Sequence, residues 1–314
     1  MQGKIRTIIG DINPNDLGFT MAHEHILDDP SVGGFMDEDH RLNDYDKAKE
    51  MLEIYKSIGG KGIAEASTKH WGRNTKGMIE LANKTGINII CCTGYLCENQ
   101  VDMDKWIGDK SIDYLVKEMV DEVTVGMDGT DAKAGWIKGG TSYNYISSRE
   151  EKVLRAAARA SLLTGAPVHT HTSTGTMGLE QIQIFEEEGL DLNHVCIAHV
   201  DRNPDYFYHK KMLEKGVYLI YDGPGKAKYY TDEVRVELLK KLINDGYGDK
   251  IMFSNDMGKR SHHTVYGKGP GLTYIKEKFL PRLLEEGFSK EQVEKFMIDN
   301  PARFYTMYKG SKYE

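Results

Sequence analysis

Two histidines near the N-terminus, His23 and His25, have the spacing of paired metal ligands. They lie in the apolar segment FTMAHEHI at positions 19–26, which is typical of a short buried strand. Side chains alternate along a strand, so residues two apart point to the same face. The two imidazoles therefore project side by side, as a divalent ion requires of two nitrogen ligands. A His-x-His pair alone more often ligates nothing, so this hypothesis depends on further ligands downstream.

Later segments that look like buried strands also end in side chains with metal chemistry. These candidates are Lys138, His169, His171, His199 and Asp256. Each one alone could be an ordinary polar residue at a strand end. Five of eight predicted strands ending in His, Lys or Asp are harder to explain without a shared site. Barrel enzymes collect their chemistry at the carboxyl ends of their strands.

Lys138 needs a separate explanation, because a lysine ammonium has no lone pair and cannot ligate a cation. Burial near metal ions would favour the neutral amine. A neutral amine can react with carbon dioxide to give a carbamate, whose two oxygens can bridge two ions. The alternative is a lysine that binds substrate anions or pairs with Asp256. Sequence alone does not separate these two interpretations.

Strand-like and helix-like segments alternate along the whole chain. The predicted strands are Gly18 to Ile26, Gly62 to Ser67, Ile87 to Gly94, Gly135 to Gly139, Pro167 to Thr172, Val195 to Val200, Val217 to Tyr221 and Ile251 to Ser254. The predicted helices are Tyr45 to Ile58, Thr75 to Thr85, Ile112 to Val125, Ser148 to Thr164, Gly178 to Glu188, Tyr206 to Lys215, Asp232 to Asn244, Leu272 to Glu286 and Ser289 to Phe304. The last helix begins with a capping-box pattern, Ser289 to Gln292.

Eight buried strands, each followed by a helix, predict the α/β class and a (β/α)8 TIM barrel. A doubly wound sheet is the rival, but no Gly-x-Gly-x-x-Gly follows an early strand. No linker or low-complexity tract divides the chain. We therefore expect one domain over residues 1–314.

Composition excludes several classes of function. The chain has 314 residues and a formal net charge of -7, which argues against a nucleic-acid surface or a polybasic membrane contact. No signal peptide or apolar run long enough to span a membrane is evident. The 4 cysteines are too few for a disulfide framework and favour a reducing cytoplasm. We expect a cytoplasmic homodimer with a small-molecule substrate.

The ordered set of motifs resembles the phosphotriesterase-like branch of the amidohydrolase superfamily. The set consists of His23-x-His25, Gly72-Arg73-Asn74, Ile137-Lys138, Thr170-His171-Thr172, Ala198-His199, Ser254-Asn255-Asp256 and Asn300-Pro301-Ala302. The resemblance implies a binuclear metal centre at the C-terminal ends of the strands.

In that centre, His23, His25 and Asp256 would hold one divalent ion, and His171 and His199 the other. Lys138, modified to N6-carboxylysine, and a hydroxide would bridge the two ions. We expect Zn²⁺, with Mn²⁺ or Co²⁺ as alternatives. The family has one ligand on the fifth strand, so His169 is expected to face away or pack elsewhere.

The implied mechanism is attack by the metal-bridged hydroxide, whose pKa lies far below that of bulk water. Asp256 is the catalytic residue that takes the proton and delivers it to the leaving group. Asp201, two residues past His199, could pass that proton outward or could simply cap its loop.

The loops after the seventh and eighth strands indicate the substrate. They carry Lys226, Lys228, Lys259 and Arg260 on an otherwise acidic protein. Barrel phosphate sites often form in these two loops, although four cations could also be a solvated surface cluster. The sequence is similar to the subgroup that acts on phosphorylated sugar lactones. We expect a pentono-1,4-lactone 5-phosphate, held chiefly by Arg260, whose planar fork matches phosphate, and then by Lys228.

Tyr95, after the third strand, could donate a hydrogen bond to the lactone oxygen or could be a packing residue. The alternative activity is that of an acyl-homoserine or unphosphorylated lactonase with promiscuous organophosphate hydrolysis. A mononuclear deaminase would use a glutamate beside the strand-five or strand-six histidine, and neither segment supplies one. A non-catalytic metal-binding protein would keep the ligands without an open coordination position.

Overall fold

Eight parallel strands form the centre of the computed structural model, which describes residues 3–310. They are β3 (Thr20–Glu24), β4 (Gly62–Glu65), β5 (Asn88–Gly94), β6 (Trp136–Thr141), β7 (Val168–Thr172), β8 (Val195–Ile197), β9 (Tyr218–Tyr221) and β10 (Ile251–Phe253). Each strand pairs with the next one along the chain, and helices follow each strand. The predicted (β/α)8 barrel is confirmed, and most strands are somewhat shorter than the apolar runs.

The helices lie at the predicted places, except for the short helix Met103–Trp106, which was not predicted. They are α1 (Tyr45–Ser57), α2 (Thr75–Thr85), α3 (Met103–Trp106), α4 (Ile112–Thr124), α5 (Ser148–Thr164), α6 (Gly178–Glu187), α7 (Tyr206–Glu214), α8 (Asp232–Asn244), α9 (Leu280–Glu285), α10 (Lys290–Glu294) and α11 (Asn300–Phe304). The capping box at Ser289 is present, with Ser289 and Gln292 bonded reciprocally. The two predicted C-terminal helices contain π-helical turns at Ile275–Phe279 and Lys295–Asp299.

A short antiparallel hairpin precedes the barrel and was not predicted. It pairs β1 (Ile5–Thr7) with β2 (Gly10–Ile12). Ile5 is fully buried in the cluster that fills the barrel interior. Strands of three residues are too short for an alternating pattern to stand out, because a strand prediction needs about four to eight residues.

The strands are buried on both faces, as their near-continuous apolar sequences predict. In β5, Ile90 and Cys92 belong to the cluster inside the barrel, whereas Ile89 and Cys91 pack in the larger cluster beneath the helices. This alternation directs one set of side chains from every strand toward the barrel axis. The same alternation carries the polar residues at the strand ends into the mouth of the barrel.

The first and last barrel strands meet without a strand ladder among the described residues. Instead, the carboxylate of Glu24 accepts hydrogen bonds from the backbone N–H groups of Asn255 and Met257, at 2.7 and 2.9 Å. The backbone N–H of His23 donates to the Ser254 hydroxyl at 2.9 Å. Burial raises the pKa of Glu24 to about 7 against the effect of these donors. We call this junction of β3 and β10 the seam.

The single domain expected over residues 1–314 stays a prediction, because residues 1–2 and 311–314 lie outside the described residues. Within residues 3–310, no helix is both long and apolar enough to span a membrane.

Candidate metal centre

A cavity of about 170 Å³ opens at the carboxyl ends of the barrel strands. All of the predicted metal ligands line it: His23, His25, Lys138, His171, His199 and Asp256. They arrive from β3, β6, β7, β8 and β10 or from the residues that follow these strands. The sequence prediction that these side chains meet in one place agrees with this geometry.

His23, His25 and Asp256 have the spacing of ligands to one ion. The Nε2 atoms of His23 and His25 lie 3.8 and 3.7 Å from Oδ1 of Asp256. Two ligands at about 2.0–2.2 Å from a shared tetrahedral ion are separated by roughly 3.4 Å. These donors therefore fit a divalent metal ion with only small adjustments.

A chain of hydrogen bonds fixes the tautomer of His23. The Tyr305 hydroxyl donates to the Ala22 carbonyl at 2.7 Å, so its oxygen accepts from Nδ1 of His169 at 3.1 Å. Nε2 of His169 is then the acceptor for Nδ1–H of His23, 2.9 Å away. The Nε2 lone pair of His23 is left free and points toward Asp256. Burial, with the charge of Lys138, holds the pKa of His23 well below its usual value, so the ring is neutral.

Two alternatives were expected for His169, that it faces away from the site or that it packs elsewhere. It does not face away. It lies within the barrel beneath the cavity and stacks on Trp136, with ring centroids 4.6 Å apart. The reason is the strand period, because His169 and His171 are two residues apart on β7 and share a face. His169 therefore supports His23 from below.

His25 is oriented by a second set of partners. Its Nδ1–H donates to the Ser67 hydroxyl at 2.8 Å, and that hydroxyl donates to Asp28 at 2.7 Å. This arrangement leaves Nε2 of His25 free on the side of Asp256. Burial alone would lower the pKa of His25, but the hydrogen bond and charge of Asp28 raise it.

His171 and His199 are neighbours on the cavity wall, in edge-to-face contact with ring centroids 4.5 Å apart. Nδ1 of His199 lies 2.6 Å from the Asp222 carboxylate, and Nε2 of His171 lies 3.3 Å from the Ser173 hydroxyl. Ligating histidines commonly bond a carboxylate or hydroxyl through the other ring nitrogen. Both rings therefore keep one free nitrogen, and burial holds the pKa of both well below the usual value.

Lys138 is fully enclosed at the centre of the barrel mouth. Its Nζ donates to the Ala66 carbonyl at 2.6 Å. Burial lowers its pKa, which favours the neutral amine that a carbamate requires. Gly94 makes room on the neighbouring strand, because a Cβ there would lie 2.1 Å from the Lys138 carbonyl oxygen.

Asp256 is held between two cations. Nη2 of Arg202 lies 2.6 Å from its Oδ2, and Nζ of Lys226 lies 3.5 Å from the same oxygen. Burial would raise the pKa of Asp256, but Lys226, His199 and Arg202 together hold it well below its usual value. The residue is in the left-handed region, with φ of 48°, as is His199 with φ of 64°. Asp tolerates this backbone better than most residues, whereas it is uncommon for other side chains.

The four basic residues of the last two loops do not act as one group. Lys226, Lys228 and Lys259 line the cavity. Arg260 does not, because its guanidinium donates to the Arg41 carbonyl at 2.7 Å and to Asn43 at 2.9 Å. This placement runs against the expectation that Arg260 is the chief phosphate ligand, since its fork is already engaged by another loop.

Tyr95 also lies apart from the cavity. Its hydroxyl bonds to Glu118, and its ring stacks on His70 with centroids 4.5 Å apart. The structure thus favours the packing alternative over contact with a lactone.

Asp201 pairs with Arg235 at 2.6 Å and accepts the N–H of Gly223 at 2.9 Å. It braces the loop after β9, and its carboxylate is fully buried away from solvent.

Sequence reasoning missed two charged residues of the site and an aromatic wall. Arg202 and Asp222 connect Asp256 to His199, and only the position of each shortly after a barrel strand could have indicated them. Phe35, His40 and Trp71 form one side of the cavity, with the Phe35 and Trp71 rings 5.2 Å apart. These residues come from loops, where no periodicity predicts the direction of a side chain.

Comparison with known proteins gives a consistent result. The profile of the phosphotriesterase family matches residues 3–305. A phospho-furanose lactonase from Mycoplasmopsis synoviae is 35% identical over 95% of this chain and 90% of its own length. The structure of a lactonase from Listeria monocytogenes superposes with a TM-score of 0.93 at 38% identity, covering 98% of this chain and all of that one.

A second solved structure contains a phosphate ion. It is the phosphotriesterase homology protein of Escherichia coli, complexed with phosphate in its active site. Its TM-score is 0.88 at 37% identity, with 92% of this chain and 99% of that chain covered. The resemblance inferred from the ordered motifs is confirmed.

Proposed function

Because this chain belongs to the phosphotriesterase family, we propose that it is a metal-dependent lactonase whose substrate is a phosphorylated sugar lactone, such as a pentono-1,4-lactone 5-phosphate. The observation that carries the substrate class is the placement of Lys226, Lys228 and Lys259 on the cavity wall beside the ligand cluster. A relative named as a phospho-furanose lactonase supports the same class.

The family is one of binuclear metal hydrolases, and His171 and His199 add two imidazoles to the three donors whose spacing fits one ion. We propose that His23, His25 and Asp256 hold one ion and that His171 and His199 hold the other, with Lys138 joining both as a carbamate. Zn²⁺ suits the predominance of imidazole ligands. Bound metal would supply a water of lowered pKa and would polarise the lactone carbonyl.

The side chains supply positioning and proton transfer. Asp256 takes the proton of the attacking water while the new bond to the carbonyl carbon forms. As the bond between that carbon and the ring oxygen breaks, Asp256 returns the proton to the departing oxygen. Lys228 and Lys259, which line the cavity, hold the phosphate by charge-assisted hydrogen bonds. Tyr95 and Arg260 have no part in this proposal, because both side chains bond elsewhere.

The size of the cavity favours a compact substrate over the acyl-homoserine alternative. At about 170 Å³ it is smaller than the roughly 300–1,000 Å³ of pockets that enclose drug-sized ligands. A long acyl chain would also have to leave through a rim that contains several cations. A five-membered ring with a phosphate matches both the volume and the charge.

A substrate screen tests this proposal. The metal-loaded protein is assayed against matched pairs of aldonolactones with and without a 5-phosphate. We expect at least a tenfold higher kcat/KM for the phosphorylated member of each pair. Equal rates would return the simple lactonase to first place, and no lactone hydrolysis with full metal loading would contradict the proposal.

Two further expectations belong with this function. The four cysteines are free and buried, which suits a reducing cytoplasm. The homodimer expected from the sequence stays a prediction, and sedimentation at assay concentration would test it.

A further inference from the structure

Arg202 connects the two groups of candidate metal ligands. It lies in the 3-10 turn Val200–Arg202 that follows β8, directly after His199. Its Nη2 lies 2.6 Å from Oδ2 of Asp256 and 3.1 Å from Oδ1 of Asp222. One amino nitrogen carries two N–H groups, so it can serve both carboxylates at once.

Each of the two carboxylates contacts a different group of candidate ligands. Asp222 uses its other oxygen to accept the backbone N–H of His199 at 3.2 Å, and the same oxygen lies 2.6 Å from Nδ1 of the His199 ring. Asp256 uses its other oxygen to face His23 and His25. A continuous path of ion pairs and hydrogen bonds therefore runs from one ligand group to the other through Arg202.

The setting of Arg202 supports a fixed geometry. Its side chain is only 8% exposed, and its guanidinium lies over the Tyr229 ring, 4.8 Å from the centroid. It lines the same cavity as the ligands. With Oδ2 engaged, rotation of the Asp256 carboxylate would break the shorter of the two bonds, so Oδ1 stays directed at the histidines.

We propose that Arg202 is a positioning residue that sets the orientation of Asp256 and ties it to the Asp222–His199 pair, so that the two halves of the metal centre act as one unit. It does not bind the substrate phosphate, because doing so would release Asp256. Its loss should therefore reduce turnover equally for phosphorylated and unphosphorylated lactones. This inference rests on the proposed metal-dependent function.

The test uses R202M and R202K in the cobalt-substituted protein, with R159M as the matched control. Arg159 pairs with Glu188 at 2.7 Å between outer helices. For R202M we expect an altered cobalt absorption spectrum, release of metal to a chelator roughly 10- to 100-fold faster, and a similar fall in kcat with little change in KM. R202K should recover part of each effect, because an ammonium keeps the charge but not the planar fork.

D222N provides a second route if R202M does not fold. It should change the cobalt spectrum in the same direction, and the double variant with R202K should be no worse than the more harmful single change. A parental spectrum and parental metal release in either folded variant would overturn the proposal. Loss confined to phosphorylated substrates would instead make Arg202 a phosphate ligand. The cobalt spectrum and the metal release are measured without substrate. They therefore test the role of Arg202 even if the proposed lactone is not the substrate.

Discussion

His23 and His169 are joined ring to ring, with Nδ1 of one 2.9 Å from Nε2 of the other inside the barrel. The Tyr305 hydroxyl closes this chain from the C-terminal side. The bond determines which nitrogen of His23 is free, so metal binding by His23 would depend on residues one layer below the cavity.

Replacing His169 with Phe should lower metal affinity. The variant keeps the ring that stacks on Trp136 but removes the acceptor for His23, and losses of outer partners typically cost roughly 10- to 100-fold. Tyr305→Phe should have a smaller effect in the same direction. Competition with a chromophoric chelator measures both. Tyr218→Phe is the control, since it removes a hydroxyl from the same core cluster. Unchanged affinity in the His169 variant would contradict this role.

Lys138→Ala should lose the second metal ion, because the proposed bridging oxygens are removed. Acetate or propionate should restore part of the metal content and turnover by occupying the vacated space with a carboxylate. Metal analysis by mass spectrometry measures the ratio of ion to protein. Two results would contradict the proposed carbamate. One is full metal loading of the variant without acetate or propionate, and the other is electron density for an unmodified lysine in the fully loaded parent.

Asp256→Asn should retain part of the metal while losing turnover by roughly 10²- to 10⁴-fold, because an amide cannot carry the proton. The amide keeps the size and the tolerance of left-handed backbone that this position requires. Steady-state kinetics with a phosphorylated lactone, alongside metal analysis, provide the measurement. Near-parental kcat would mean that another group carries the proton.

Lys228→Ala and Lys259→Ala should reduce the preference for a phosphorylated lactone. Charge-assisted hydrogen bonds contribute roughly 1.5–3 kcal/mol. Each change should therefore lower kcat/KM for the phosphorylated lactone about tenfold or more, with little effect on kcat/KM for the unphosphorylated analogue. Arg260→Ala is the informative comparison, because Arg260 bonds Arg41 and Asn43 in this structure. A selective loss with Arg260→Ala alone would show that loop eight rearranges to bring Arg260 to the phosphate.

His70 should make folding stability depend on pH. Burial lowers its pKa to about 3, whereas an unfolded histidine titrates near 6.5. Below about pH 6.5 His70 binds a proton in the unfolded chain but not in the folded one. The free energy of unfolding therefore decreases as pH falls toward 3. The slope is at most about 1.4 kcal/mol per pH unit. Denaturant unfolding at pH 7 and pH 5 should show a smaller difference for His70→Phe than for the parent, and equal differences would exclude this contribution.

The barrel, and the meeting of the candidate ligands at its mouth, were predictable because both follow from strand periodicity. A buried strand fixes the face of every side chain on it, so the sequence alone predicted where His171 and Lys138 point. Tyr95 and Arg260 come after strands end, where the backbone no longer dictates direction. Tyr95 turns to Glu118 on α4, and Arg260 reaches a loop 217 residues earlier in the chain. Arg202 escaped notice for the same reason.

The position of the seam would give a bound metal ion a structural role as well as a chemical one. His23 and Ser254 are 231 residues apart in the chain yet hydrogen-bonded, and the ladder that joins the other strands is missing there among the described residues. His23 and His25 lie on one side of this junction and Asp256 on the other. An ion held by all three would act as a cross-link between the two ends of the barrel, much as a disulfide closes a long loop. The junction of β3 and β10 would then be weakest in the metal-free protein, and metal binding would be the last step of folding.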